Sequence, residues 1–165
     1  MKTFTRLSAA FVLILSTSLA QAAINPNAAT HGQWQSASGQ TLSVGADGVR
    51  TYAQSADECR QIGGFSHKAA SISGKDLQSN LVSTAQYHKE LLPEITDSEI
   101  KANLRDNIQT INRAKTMIKP QQTYKGIALV CGDSSSELYF IDANNAIEQV
   151  FGGGESFYQL YRKAR

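Results

Sequence analysis

The chain has 165 residues, with 16 lysines and arginines against 14 aspartates and glutamates, 3 histidines and 2 cysteines. That length suits one domain with a single core, and the near balance of charge gives no electrostatic footprint for nucleic acid or an anionic membrane surface.

The first residues read MKTFTRLSAAFVLILSTSLAQAA, in which Lys2 and Arg6 precede an apolar run from Leu7 to Leu19 and the small-residue triplet Ala20-Gln21-Ala22. This is the pattern of a secretory signal peptide, and the run is too short and too rich in Ser and Ala to anchor in a bilayer. Residues 1–22 are therefore read as a cleaved signal and 23–165 as a single exported domain, periplasmic or secreted, soluble after cleavage and without stable membrane insertion. The signal carries Lys2 and Arg6 and no acid, so the mature charge is balanced. In an oxidising compartment Cys59 and Cys131 are expected to form a structural disulfide.

From His31 the chain breaks into short strand-like pieces, 33–36, 41–44 and 49–52, separated by Ser38-Gly39 and Asp47-Gly48, which tolerate positive φ. Trp34 is expected to anchor the core. Asp57-Glu58-Cys59-Arg60 reads as the opening of a short helical turn in the segment after Ala56, stopped by Gly63-Gly64, and 66–72 reads as another strand. The period then changes. Leu77, Leu81, Ala85 and His88 fall on one helical face, with Ser73 as a cap and Pro93 as a stop. A second helix, from about Asp97 to Ile118, has a capping-box pattern in Thr96-Asp97-Ser98-Glu99, an apolar series Ile100, Leu104, Ile108, Ile111 and Ile118, and Pro120 beyond it. The short connection folds the two helices into an antiparallel hairpin. Strand patterns return at 124–130, 137–142, 146–151 and 157–162, joined by runs of turn formers. The fold expected is α+β: an antiparallel β-meander or partial barrel interrupted by an α-helical hairpin.

Chemistry is hard to assemble from this chain. Gly132-Asp133-Ser134 resembles a serine-nucleophile triplet, but it follows a cysteine between two strand patterns, without a Gly-x-Ser-x-Gly elbow, and reads as a hairpin turn spanning 132–136. His31, His67 and His88 have no metal-ligand spacing. Gly152-Gly153-Gly154 lacks the following Lys-Ser or Lys-Thr of a phosphate cradle and leads into a strand. No residue is assigned a catalytic, cofactor-binding or metal-ligating role. The leading expectation is a non-enzymatic binding protein acting through a protein surface, as an inhibitor, immunity factor or envelope accessory with a protein partner in the cell envelope. The alternative is a carrier of a small apolar molecule or lipid in a pocket between sheet and helices, discriminated by a cavity of a few hundred Å³ lined by apolar strand faces. A hydrolase with an unfamiliar site, marked by His67 or His88 converging with a Ser and a carboxylate, is the third.

Overall fold

The structure, a computed structural model, describes residues 27–46, 48–52, 66–131, 134–152 and 155–165. The signal segment, Cys59 and the expected turn after Ala56 lie outside the described residues.

A short 3-10 turn, Ala28–Thr30, leads into strands β1 (Gly32–Ser36), β2 (Thr41–Gly45) and β3 (Gly48–Tyr52). After β4 (Ser66–Ser73) come helices α1 (Gly74–Leu91) and α2 (Ser98–Met117), then strands β5 (Thr123–Cys131), β6 (Ser134–Phe140), β7 (Asn145–Gly152) and β8 (Glu155–Lys163). All eight strands join one sheet in the order β3-β2-β1-β8-β7-β6-β5-β4, and every pairing is antiparallel. The two meanders fuse where Trp34, Gln35 and Ser36 pair with Lys163, Arg162 and Tyr161. The helical hairpin leaves the sheet at Ser73 and returns at Thr123, its register partner, so it is an excursion between two neighbouring strands.

Each local choice has a visible cause. Gly39 and Gly48, at φ 84° and 112°, supply the left-handed backbone that their turns require. In α1, Ser73 Oγ accepts from the Asp76 amide at 3.0 Å. In α2 the cap is Asp97, one residue later than the capping-box pattern placed it; its Oδ1 accepts from the amides of Glu99 at 2.8 Å and Ile100 at 3.0 Å.

Two apolar layers lie on opposite faces of the sheet. On the outer face Leu77, Leu81 and Ala85 of α1 and Ile111 and Ala114 of α2 pack with Tyr124, Tyr139, Ile147 and Tyr158. On the inner face Trp34, Leu42 and Val44 meet Ile127, Leu129, Leu138 and Tyr161, which requires the sheet to curl so that its two meanders face each other. Its two outermost strands come close where a Cβ placed on Gly48 of β3 would lie 3.0 Å from Nδ1 of His67 on β4. The result is a half-barrel with a helical hairpin on its outside. Among the described residues no helix is long and apolar enough to cross a membrane.

Three local expectations are corrected. The stripe that α2 buries is Leu104, Asn107, Ile111 and Ala114, while Ile100 is 50 % exposed. Ser134 to Ser136 belong to β6, paired with Cys131, Val130 and Leu129, so the connection is two residues long instead of five. Cross-strand bonding there outweighs the weak strand preference of serine. Strand β6 ends at Phe140, and Asp142 turns the chain by accepting from the amides of Asn144 at 2.7 Å and Asn145 at 2.8 Å.

Candidate binding clefts and a buried acid

The centre of the seam between helices and sheet is filled by the outer apolar layer. Space opens on the concave side. Among the described residues β3 has 5 and β4 has 8, and none of them covers the C-terminal part of β4 beside β5. There a cleft of about 690 Å³ has Ala69, Ile127 and Phe140 as an apolar floor and Ser71, Lys125 and Asp142 at its rim. Its far wall is the segment from Asn27 to Thr30. Two bonds hold that wall: Trp34 Nε1 donates to the Thr30 carbonyl at 2.9 Å, and Lys163 Nζ donates to the Ala29 carbonyl at 2.7 Å. Trp34 also stacks obliquely on Phe140, with ring centroids 5.6 Å apart.

The charges on the rim are not equivalent. Partial burial opposes ionisation of Asp142, but the amides of Asn144 and Asn145 prevail and hold its carboxyl below the usual range, with its charge committed to the turn. Lys125 is exposed and lines the cleft, so it is the cation available to a ligand there.

Across the Trp34–Phe140 divide the interior contains polar side chains. Ile127, Leu138, Glu148 and Gln159 form one inward row across β5 to β8. Glu148 is fully buried. Burial pushes its carboxyl up to about 7, against the opposing pull of the Tyr161 hydroxyl. Burial, then the charge and hydrogen bond of Glu148, raise Tyr161 in turn. The Tyr161 hydroxyl lies 2.9 Å from Glu148 Oε2, 3.2 Å from Gln159 Oε1 and 3.3 Å from Gln40 Oε1. One hydroxyl hydrogen cannot serve three acceptors. A protonated Glu148 relieves the shortage by donating to Tyr161, which then donates to a glutamine.

A second opening follows β8 on the outside. A cleft of about 390 Å³ between α2, the turn after Ser36 and residues 158–160 continues into one of about 490 Å³, the two sharing Ala37, Arg113 and Leu160. Asn107 lines it, 8 % exposed, with Nδ2 donating to the Tyr158 carbonyl at 2.7 Å.

The residues singled out in the sequence are dispersed. Ser134 opens β6 opposite Cys131, at the end of the β5–β6 hairpin. His31 follows the 3-10 turn, His67 lies near the free edge of β3, and His88 is buried under α1 with its ring 5.2 Å from that of Phe157. Among the described residues no group of three His, Cys, Asp or Glu side chains is placed to hold a metal. Sequence reasoning missed Glu148, Asn107 and Lys125. The alternation in Ala146-Ile147-Glu148-Gln149 does put Glu148 on the face of Ala146, a signal that was present but ambiguous without knowing that both sheet faces are covered. No protein-family model, curated protein or solved structure matches this chain.

Proposed function

We propose that this protein is a non-enzymatic binding protein that takes a small amphipathic molecule, an apolar body with an anionic head, into the concave cleft. One observation carries the reading: the concave cleft of about 690 Å³ has an apolar floor of Ala69, Ile127 and Phe140 beside the exposed cation Lys125. Ligand sites commonly combine such a volume, apolar lining and a few placed polar groups. Export to the periplasm or the medium, expected from the first 22 residues, suits a soluble carrier.

The fold provides its own reporter. Trp34 is the only tryptophan in the chain and touches Phe140 on the cleft floor. Titration with decanoate is expected to change its emission saturably at one molecule per chain. Ala69→Trp, which fills the floor, should abolish binding measured by calorimetry, and Lys125→Gln should weaken it about tenfold, the loss of one charge-assisted contact. Decanol binding as tightly as decanoate would remove Lys125 from the account. Binding undiminished in Ala69→Trp would remove the cleft.

A further inference from the structure

The far wall of the concave cleft is built differently from its floor. Asn27, Ala29 and Thr30 line it from a turn that precedes the sheet, which the chain enters at Gly32, paired with Val44. The turn closes on itself. The amides of Thr30 and His31 donate to the carbonyls of Asn27 and Ala28 at 2.7 and 3.1 Å, the Ala29 amide donates to Asn27 Oδ1 at 3.1 Å, and the Thr30 hydroxyl donates to the Asn27 carbonyl at 2.7 Å. A segment that satisfies its own amides in this way can shift as a unit without leaving those donors unpaired.

Two side chains tie the turn to the sheet, and they are register partners on neighbouring strands, Trp34 of β1 and Lys163 of β8. Trp34 Nε1 holds the Thr30 carbonyl and Lys163 Nζ the Ala29 carbonyl. Water can serve both carbonyls once the turn moves off, so each bond contributes only a modest net preference for the closed position. At the sheet end stands Gly32, at φ 133°, a conformation that glycine adopts readily and other residues do not. A Cβ there would lie 3.0 Å from Lys163 Cε, so the same glycine makes room for the side chain that holds the turn.

We propose that Asn27 to Thr30 form a strap that swings about Gly32, latched beside the concave cleft by Trp34 and Lys163 and released to let a ligand in or out. The strap is one side of the cleft, so its position sets the width open to an entering molecule. Its role as a gate rests on the reading of the cleft as a ligand site, whereas the swing does not. Short segments outside the sheet ladder open at a small fraction of the cost of global unfolding. Such a gate governs rates more than affinity: weakening the latch favours the open form of the empty and the loaded protein alike, so entry and exit accelerate together.

The test has two arms on the mature protein, and the first needs no ligand. With one tryptophan in the chain, a single indole N–H signal in the NMR spectrum reports the bond to Thr30 through its exchange with deuterium oxide. That N–H is expected to be about a hundredfold less protected than the amides of β6, a strand paired on both sides. Lys163→Met should speed its exchange about fivefold further and leave the β6 amides unchanged. Gly32→Ala, which removes the pivot's conformation and crowds Lys163, should act in the same direction and keeps this arm open if Lys163→Met fails to fold. The second arm follows decanoate by stopped flow through Trp34 emission. Lys163→Met should raise the association and dissociation rate constants together, about fivefold each, with Kd held within about threefold. An indole N–H as protected as β6, or unchanged in both variants, overturns the strap. A rise in dissociation alone would make Lys163 a contact of the ligand instead of a latch and overturns it too. Decanoate that fails to bind while the indole exchanges as expected would sink the reading of the cleft and not the swing.

Discussion

Glu148 and Tyr161 share a hydrogen bond of 2.9 Å inside the half-barrel, one strand apart, with the carboxyl fully buried. The fold therefore favours the neutral acid: its pKa rises from 4.5 to about 7. The unfolded chain loses this proton from about pH 4.5 upward while the folded chain keeps it until about pH 7. The contribution to stability is complete below the lower value and is lost as pH rises through the upper one, a difference of about 3 kcal/mol. Denaturant melts between pH 4 and 9 should show stability falling over this window. Glu148→Gln, which stays neutral, should flatten the profile and leave the variant more stable than wild type at pH 8. A wild-type profile already flat over that range would show that Glu148 ionises freely in the fold.

The helical hairpin separates structural from exposed positions. Leu104 is 2 % exposed and lies in the stripe that α2 presents to the sheet, so Leu104→Ala should cost about 2 to 5 kcal/mol. Ile100 is half exposed, and Ile100→Ala, like Arg113→Ala on the outer surface, should change stability by less than about 0.5 kcal/mol. Urea melts of the three variants decide the matter; an Ile100→Ala loss matching that of Leu104→Ala would mean the helix is turned the other way.

That rotation shows what the sequence displays and what it conceals. Eight strands and two helices were readable because turn formers, caps and changes of period are local. The series 100, 104, 108 also looked apolar, but steps of four advance about 40° around the helix each time, so it drifts off any fixed face, whereas 104, 107, 111 and 114 alternate steps of three and four and stay on one. The second series contains Asn107, and a polar residue in a buried stripe makes sense only beside the Tyr158 carbonyl, 51 positions away, that satisfies it. The clefts were concealed for a related reason. The segments of β3 and β4 are visible in the sequence, but only the curl brings these strands near each other and, among the described residues, sets the concave cleft beside them.

Cys59 and Cys131 are expected to be joined if the protein reaches an oxidising compartment. Strand β5 ends at Cys131, and Ser66, where the chain enters β4, pairs with the adjacent Val130, so the segment carrying Cys59 rejoins the sheet beside its proposed partner. Closing a loop of this length restricts the unfolded chain by about 4 kcal/mol on the chain-entropy estimate. Peptide mapping without reductant should recover the two cysteine peptides as one species, and dithiothreitol should lower the melting temperature. Recovery of both as alkylated thiols from exported protein would exclude the bond.

Two glycines should respond to alanine for different reasons. At Gly126, in the middle of β5, an added Cβ would collide with the Leu138 carbonyl and press on the Tyr139 ring at 2.8 Å. The backbone belongs to the central ladder with β6 and cannot step aside, so Gly126→Ala should cost about 1 to 3 kcal/mol, as overpacking does elsewhere. At Gly39 a Cβ meets nothing within 4 Å, and only the positive φ of 84° opposes it, so Gly39→Ala should cost about 1 kcal/mol. Because Gly126 also lines the concave cleft, its displacement should alter ligand binding there, while Gly39→Ala should leave it unchanged. Thermal melts together with the decanoate titration separate the two effects. A Gly126→Ala protein as stable as wild type would mean that β5 and β6 lie farther apart than their register and this close approach require.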